Sequence, residues 1–573
     1  MATIDSIVPP KPMNVAAKAP TEQCDVVVIG GGVNGTGVAR DLALRGLKVV
    51  LFERNDLAFG ASGNSSGMIH GGPRYLSQNP SVTESSCRDS GYIQRIAPFL
   101  LFRIPFLMPV KAGVKGRIMI ELVDAFFRLY DDYQPLKRGE KHTRLTPSEM
   151  QSLEPGLTGK IEGGITFDEW GVDGARLCAL NAVDAIERGA KVHTHTTVES
   201  IAKNPANEGE NASGHAYAVV ARDALDNRVH SVATKMVVNA TGAWGPVTAA
   251  LGNLPSSRVR VRPGKGIHIT YDRRLTNYAI VSETIDGRQI FLEPWQNMSI
   301  LGTTDDDYYG SLDDVNATSE EVRYLVQGLA RVFPSIRNAR AIGTYAGVRP
   351  TLYEYGPHED ALSREHAVVD HEVDGAPGIY SMIGGKLASY RLFAEEMSDL
   401  IAAKLCPGER CRTHEVPLPG GEREVDDALL APANHITPVA SRRLVYRHGA
   451  RAERILERVK SRPREATVVC PCEPVLEAEV RHSVREEGAR TVDDVSRRTR
   501  LGLGACGGMR CAARCGQLVA EECGLEPREG IEQARTFLLR QAKKRLVAMG
   551  PDQARQEMLA LEVMQSHLGR GEE

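Results

Sequence analysis

The chain has 573 residues, of which 42% are hydrophobic and 25% charged, and its formal net charge is −3. This length predicts two or three domains with ample core, and the nearly neutral charge gives no electrostatic reason to expect nucleic-acid binding. No apolar run reaches the length of a membrane span. Residues 98–110 come nearest, but they are few and interrupted by Arg103. A buried segment is therefore favoured there over one that rests on a membrane surface.

The first twenty residues are rich in Pro, Ala and Lys, which predicts a flexible tail over residues 1–20. They lack the basic-then-apolar order of a secretory signal, so we expect a cytoplasmic protein. The eleven cysteines, five of them between residues 470 and 515, fit a reducing compartment better than a disulfide framework.

A glycine-rich turn between two apolar runs organises the N-terminal part of the chain. Residues 26–29 are apolar, Gly30, Gly32 and Gly35 follow in the G-x-G-x-x-G spacing, and residues 36–44 predict a helix. A second apolar run over residues 48–52 ends at Glu53. This order is typical of dinucleotide binding, because the glycines allow the backbone to approach a pyrophosphate and the acid can accept hydrogen bonds from a ribose.

The loop over residues 56–76, DLAFGASGNSSGMIHGGPRYL, bears on which dinucleotide is bound. It is polar and glycine-rich where an NAD enzyme would usually begin another helix, and small residues and hydroxyls suit the phosphates and ribityl chain of a longer cofactor. Together with VNATGAW, KGIHI, LGTTD, AGVRP and GGKLASYR, in order over residues 24–400, this loop resembles the FAD-dependent sn-glycerol-3-phosphate dehydrogenases.

The resemblance implies a fold of the α/β (α+β) class. A Rossmann-type FAD-binding domain would be joined to an antiparallel-sheet substrate domain, as in glycine and D-amino-acid oxidases, and followed by a helical C-terminal domain. The expected oxidoreductase domain is 21–405, with FAD-binding parts at about 21–75, 160–250 and 340–405 and substrate-domain parts at about 76–160 and 251–340, and the C-terminal domain is 406–573. The implied cofactor-binding residues are Gly30, Gly31, Gly32, Asn34, Gly35, Glu53, Arg54, Ser62, Ser65, Ser66, His70, Gly242, Gly384, Gly385, Lys386 and Leu387.

Local patterns predict several later elements. Residues 164–176 predict a strand and a turn before a helix over 173–186, residues 190–238 alternate in the manner of strands, and residues 258–304 are rich in strand formers. A strand over 378–383 precedes a helix over 387–403. The N-terminus of that helix would supply N–H donors and a positive dipole end, suited to negative charge on a reduced isoalloxazine.

A phosphate-bearing substrate calls for guanidinium groups, which bind phosphate oxygens in pairs. By resemblance, Arg74, Arg349 and Arg364 stand where the family has its phosphate-binding arginines, and Tyr75 would line the pocket. Without the resemblance, each arginine would more simply be a solvated surface charge.

The predicted catalytic residues are Arg349, His268 and Lys386. His268, in KGIHI, matches the family histidine near the substrate hydroxyl and is the expected base, although a single histidine is more often structural. Lys386 would polarise the substrate oxygen or stabilise the reduced flavin. The chain departs from the family at Gly67, where a basic residue is common, and at Pro73, where leucine is usual.

Two cysteine pairs mark the C-terminal domain: Cys470 and Cys472 as C-x-C, and Cys506 and Cys511 as C-x₄-C. Four soft thiolates favour an iron–sulfur cluster or zinc, and zinc sites more often use C-x₂-C pairs. The spacing resembles bacterioferritin-associated ferredoxin-like domains, which carry a 2Fe–2S cluster, over about residues 465–520. Zinc and free thiols stay open as alternatives, and Cys515 is one thiol too many.

The cysteines make the resemblance strongest to the catalytic A subunits of the anaerobic, multi-subunit members of that family. This implies oxidation of sn-glycerol 3-phosphate to dihydroxyacetone phosphate, with electrons passing through FAD and the cluster to partner subunits and membrane quinone. It also implies a cytoplasmic protein held at the membrane by those partners. The alternatives are an FAD-dependent dehydrogenase of an amino or hydroxy acid, a non-catalytic electron-transfer or sensor protein, and an oxidase that reduces oxygen directly.

Overall fold

The computed structural model describes residues 20–73, 76, 80–204, 214–255, 257–356 and 365–569. The strands, in chain order, are β1 (Glu22–Ile29), β2 (Val49–Phe52), β3 (Met68–Ile69), β4 (Leu101–Lys111), β5 (Thr143–Leu145), β6 (Ile161–Val172), β7 (Lys191–His193), β8 (Thr196–Lys203), β9 (Tyr217–Asp223), β10 (Val229–Asn239), β11 (Val261–Tyr271), β12 (Ala279–Glu283), β13 (Gln289–Trp295), β14 (Met298–Gly302), β15 (Asp306–Asp307), β16 (Ala341–Leu352), β17 (His366–Asp370), β18 (Ile379–Gly384), β19 (Val468–Cys470) and β20 (Val475–Leu476).

The helices, in chain order, are α1 (Val33–Leu44), α2 (Pro80–Ile96), α3 (Val114–Tyr130), α4 (Pro147–Leu153), α5 (Gly174–Glu187), α6 (Gly245–Leu251), α7 (Ser319–Leu329), α8 (Tyr390–Leu405), α9 (Asp427–Ala433), α10 (Pro438–His448), α11 (Arg451–Ser461), α12 (Glu477–Arg485), α13 (Val492–Thr499), α14 (Ala512–Cys523), α15 (Pro527–Leu546) and α16 (Pro551–Leu568).

The first sheet is the predicted Rossmann-type core. Strands β18, β10, β1, β2 and β7 run parallel in that order, and β17 adds an antiparallel edge. Residues 26–29 of β1 and all four residues of β2 are buried, as expected for parallel strands covered on both faces. Helices α1, α5 and α8 pack on one face, and β8 and β9 fold over the other.

The second sheet is mixed and mostly antiparallel, in the order β15-β11-β14-β13-β12-β4-β6-β3, with β16 along β11 and β5 along β6. Strand β4, which covers most of the apolar stretch at 98–110, lies between β12 and β6, in keeping with a buried segment. Helices α4 and α7 cover the outer face.

Two predicted helices begin slightly later than expected. Asp173 caps α5, because its side chain accepts hydrogen bonds from the N–H groups of Ala175 and Arg176 at 3.1 Å each. Residues Leu387–Ser389 form a 3₁₀ turn, and α8 starts only at Tyr390. The predicted α-helix from residue 387 was therefore wrong over its first three residues, where the chain leaves two glycines with positive φ, Gly384 and Gly385.

The C-terminal region is helical, as predicted, with a short hairpin of β19 and β20. Buried ion pairs fix it to the predicted FAD-binding domain, which we call the flavin domain. Arg498 binds Asp56 at 2.8 Å, and Arg176 binds Glu487 at 2.6 Å. Within the residues described, no helix is both long and apolar enough to cross a membrane.

Candidate active site and cysteine site

The turn after β1 is so tight that two of its positions accept only glycine. A Cβ on Gly30, where φ is +111°, would lie 2.6 Å from the carbonyl oxygen of Ala240. A Cβ on Gly35 would lie 2.0 Å from the carbonyl oxygen of Gly30. Gly32 begins α1 without a side-chain cap, so amides of the first helical turn can serve a phosphate.

Glu53 closes the same turn from the end of β2. The N–H of Gly31 donates to its Oε2 at 2.6 Å, and the N–H of Asn55 donates to its Oε1 at 2.8 Å. Burial raises the pKa of this carboxyl group. Each oxygen keeps a further lone pair, so the fixed carboxylate can also accept hydrogen bonds from a ribose.

Distant segments converge on this turn. The Ser62 hydroxyl accepts a hydrogen bond from the N–H of Val33 at 2.9 Å. A Cβ on Gly385 would lie 3.6 Å from Nδ2 of Asn34. The loop after β2 and the strand end before α8 therefore meet at the start of α1, and the glycine cradle and the acid together fit FAD.

The remaining predicted cofactor residues are placed as follows. Gly242, Gly384 and Gly385 have φ values of +59°, +81° and +91°, a region that glycine adopts without strain. Arg54 turns outward to pair with Asp313. Ser65 accepts a hydrogen bond from a neighbouring backbone N–H at 3.2 Å, while Ser66, His70, Lys386 and Leu387 are partly exposed.

Strand register brings the predicted substrate residues to one face of the second sheet. On the paired strands β11 and β16, Gly264 lies opposite Arg349 and His268 lies opposite Tyr345. Side chains alternate with a period of two, and directly opposed residues share a face. His268, Tyr345 and Arg349 therefore lie on the same face, which we call the substrate face.

His268 is buried on this face, with 2% of its surface exposed. Its ring stacks on Tyr345 at 4.7 Å between centroids and 11° between planes. A Cβ on Gly302 would lie 2.2 Å from its Cδ2, so glycine is needed there to admit the ring. Neither ring nitrogen has a hydrogen-bond partner in the described part of the chain. Burial, and then the charge of Arg349, lower the pKa of His268 to about 3.

Arg349 is held by groups from the LGTTD segment. Its Nη1 donates to Oδ1 of Asp305 at 2.8 Å, and its Nη2 donates to the Thr303 hydroxyl at 3.3 Å. A Cβ on Gly266 would lie within 2.8 Å of both terminal nitrogens. Asp305 was given no role from the sequence, although it lies inside a segment already noted; its pairing with Arg349 depends on how β11 and β16 meet.

Glu293 on β13 is a buried acid that sequence reasoning missed. It is 2% exposed, its Oε2 has no hydrogen-bond partner among the described residues, and burial raises its pKa to about 8. The register Phe291–Gly302–His268 places residue 293 on the substrate face. The available signal was that Glu293 is the one charged residue between positions 289 and 302.

Three predicted substrate residues, Arg74, Tyr75 and Arg364, lie outside the residues that the structure describes. Lys386 follows the glycine pair after β18, and its charge lowers the pKa of the buried Cys87 thiol, although burial dominates and raises that pKa to about 12. Cys87 in turn lies against Gly71 in the loop over residues 56–76, which we call the flavin loop. Lys386 is therefore near the loop to which the sequence assigned it.

The four predicted ligand cysteines form two pairs. The sulfurs of Cys472 and Cys506 are 3.6 Å apart, and the thiol of Cys511 donates to the sulfur of Cys470. That hydrogen bond lowers the pKa of Cys470 to about 6, assisted by backbone N–H groups including that of Gly502. No three cysteine sulfurs in the described ranges all lie within 4.8 Å of one another, although the charge of Cys470 contributes to raising the pKa of Cys472, to which burial contributes most.

Backbone packing builds this cysteine site. A Cβ on Gly504 would lie 2.4 Å from Cβ of Cys472, so the two loops touch. Cys515 is fully buried, and burial raises the pKa of its thiol. It faces the core of the domain with Leu518 and Val519.

Comparisons with known proteins agree with this architecture. A family model described as "FAD dependent oxidoreductase" matches residues 25–391, and one described as "C-terminal domain of alpha-glycerophosphate oxidase" matches residues 411–529. The second match contains all four predicted cysteine ligands, and its description names no cluster.

Named relatives match over most of their length. The A subunit of the anaerobic glycerol-3-phosphate dehydrogenase of Haemophilus influenzae is 32% identical over 90% of this chain and 88% of its own. The glycerol-3-phosphate dehydrogenase of Mycobacterium leprae is 32% identical over 94% of this chain and 92% of its own. The crystal structure of glycerol-3-phosphate dehydrogenase from Bacillus halodurans complexed with FAD has a TM-score of 0.68 and 24% identity, covering 93% of this chain and 96% of that one.

Proposed function

This chain belongs to the FAD-dependent oxidoreductases and, among them, to the glycerol-3-phosphate dehydrogenases, and on that premise we propose that it oxidises sn-glycerol 3-phosphate to dihydroxyacetone phosphate. The observation that carries the proposal is the shared face of His268 and Arg349. A phosphorylated alcohol needs a cation at one end and a proton acceptor at the other, and this face offers both.

Arg349 binds the phosphate in this proposal. Asp305 fixes the guanidinium from one side, and the planar group can present paired N–H donors to phosphate oxygens. Holding the phosphate orients the carbinol carbon towards the cofactor and the hydroxyl towards His268.

His268 accepts the hydroxyl proton. Its ring is neutral at physiological pH, because burial and Arg349 hold its pKa to about 3. A bound phosphate dianion offsets the charge of Arg349, so the pKa of His268 rises when substrate is present and the ring becomes a better base. FAD, when bound, supplies the hydride acceptor. Lys386, after the glycine pair, would stabilise negative charge on the oxygen or on the reduced cofactor.

We further propose that the four cysteines hold a 2Fe–2S cluster through which electrons leave. A single zinc ion would need four sulfurs within about 3.8 Å of one another, given Zn–S bonds of about 2.3 Å. Two pairs suit two iron atoms with two thiolates each. Partner subunits would then take the electrons to membrane quinone, and would hold this otherwise cytoplasmic chain at the membrane.

An anaerobic visible spectrum, recorded before and after adding glycerol 3-phosphate, tests the substrate. We expect the flavin band to bleach. In Arg349→Ala, loss of two charge-assisted hydrogen bonds at about 1.5–3 kcal/mol each should lower kcat/KM about 10²–10⁴-fold with FAD content unchanged. Arg340→Ala, at the exposed position immediately before the same strand, is the matched control. A wild-type flavin that stays oxidised with glycerol 3-phosphate but bleaches with an amino or hydroxy acid would refute the assignment.

Metal analysis tests the cluster independently. Iron and sulfide should be present in wild-type protein, lost in Cys472→Ser and retained in Cys515→Ser, because only the former removes a proposed ligand. Stoichiometric zinc in place of iron would contradict the cluster and leave the flavin chemistry standing.

A further inference from the structure

Trp295 lies where three parts of the molecule meet. It ends β13 and is only 5% exposed. A Cβ on Gly67, in the flavin loop, would lie 3.6 Å from its Nε1. From the other side, the guanidinium carbon of Arg500 in the C-terminal domain lies 4.0 Å from the centroid of its ring. The indole is therefore packed between the flavin loop and the C-terminal domain.

The segments that carry Cys472 and Cys506 both approach Trp295. Ala505, which precedes Cys506, packs into the apolar cluster that Trp295 forms with Met298 and Ile300. Arg500 lies 3.6 Å from Glu473, which follows Cys472. The segment of Cys472 is therefore linked to Trp295 through Arg500, and the segment of Cys506 packs through Ala505 against the cluster that contains Trp295.

Tyr345 connects the cluster around Trp295 with His268 on the substrate face. It joins the Trp295 cluster on one side and stacks on His268 on the other. Because residues 291, 293 and 295 alternate with their neighbours on β13, Trp295 shares the substrate face with His268. The apolar cluster around Trp295 therefore contacts both Tyr345, which stacks on His268, and Ala505, which precedes Cys506.

We propose that Trp295, with Tyr345 behind it, is the path by which electrons cross from the flavin to the cysteine cluster; this rests on the function proposed above. Electron transfer weakens steeply across gaps in packing, and the side chains packed around Trp295 form a continuous cluster from Tyr345 to Ala505. The reduced flavin holds the two electrons of the substrate hydride. Two successive one-electron transfers each reduce an oxidised cluster, which is reoxidised by an external one-electron acceptor, and the proton on the flavin is released to solvent.

Arg500 fixes the ring in place. Its side chain is 12% exposed and lies 3.6 Å from both Asp173 of the flavin domain and Glu473. A cation over an indole face is a favourable contact, and more so where both groups are largely removed from water.

Rapid mixing under anaerobic conditions separates the two steps. Flavin bleaching by glycerol 3-phosphate and the appearance of the reduced-cluster EPR signal are followed in wild type, Trp295→Leu and Trp295→Phe. We expect Trp295→Leu to bleach its flavin at the wild-type rate and to reduce its cluster several-fold more slowly, with Trp295→Phe intermediate. Tyr309→Leu, which removes an aromatic ring at a residue that is 73% exposed, should match wild type in both steps.

The same variants are also reduced by a light flash with deazariboflavin, which reduces the flavin without substrate. Iron and FAD contents equal to wild type exclude misfolding as the cause of a slow second step. Equal cluster-reduction rates in wild type, Trp295→Leu and Trp295→Phe would overturn the path. A flavin that responds to the flash but not to glycerol 3-phosphate would refute the proposed substrate alone, since the flash rates still decide the role of Trp295.

Discussion

Two buried histidines illustrate the difference between the substrate face and the contact between domains. His268 and His448 are 2% and 0% exposed, and burial lowers the pKa of both, to about 3 and about 4. His448, however, accepts a hydrogen bond from Nη2 of Arg176 at 2.9 Å and donates to Glu479 at 2.9 Å. His268 has no hydrogen-bond partner in the described chain.

The difference teaches that neither burial nor a shifted pKa identifies a functional histidine. His448 completes a network that links α5 of the flavin domain to α12, with each ring nitrogen used. His268 is held by packing alone, between Gly302 and Tyr345, and the described part of the chain uses neither of its ring nitrogens. A costly unsatisfied group that the fold preserves points to function.

The largest effect is expected from His268→Asn. Removing the base should lower the rate of flavin reduction by about 10²–10⁴-fold, while the thermal midpoint changes little because no hydrogen bond is lost. Stopped-flow flavin bleaching and a melting curve on the same sample measure both quantities. A variant that melts early and reduces its flavin at the normal rate would place His268 with the structural histidines.

Glu293 is a buried acid without a hydrogen-bond partner for its Oε2 in the described chain, and its effect on stability should depend on pH. Its pKa is raised from 4.5 to about 8, so the folded state keeps the proton that the unfolded chain loses. The stability that this proton provides is full below pH 4.5 and is lost progressively as pH rises to about 8, by up to about 5 kcal/mol. Glu293→Gln should remove this loss and melt at a higher temperature than wild type at pH 8.5. If the melting temperatures of the two proteins changed with pH in parallel, the raised pKa of Glu293 would be contradicted.

Sequence and structure agree most closely where a few neighbouring residues determine the geometry. The turn of Gly30, Gly32 and Gly35 and the position of Glu53 follow from local spacing and steric limits. The flavin loop is a similar case: a Cβ on Gly67 would lie 2.5 Å from the carbonyl oxygen of Val172. The basic residue common in the family therefore does not fit this backbone.

The substrate face required information that no local pattern contains. Arg349 and His268 are 81 positions apart and meet only through the pairing of β11 with β16, so the sequence supplied them through family resemblance. Trp295 was missed because its surroundings include Arg500 and Ala505, which arrive from another domain, and Glu293 because its face is set by the pairing of β13 with β14. The 3₁₀ turn before α8 was missed because two consecutive glycines leave the helix start undetermined.

The smallest effect, and the sharpest contrast, is expected from His448→Asn, the same substitution at the other buried histidine. The shorter side chain cannot reach both Arg176 and Glu479, so the C-terminal domain should lose about 1–3 kcal/mol of stability while flavin reduction keeps its wild-type rate. The pKa of His448 is lowered from 6.5 to about 4, so the neutral ring stabilises the fold above pH 6.5 and loses this effect as pH falls through 4. The difference in melting temperature between wild type and variant should therefore narrow from pH 7 to pH 4.

The exposed His567→Asn on α16 is the matched control, and a slowed flavin reduction in His448→Asn alone would show that the network reaches the substrate face.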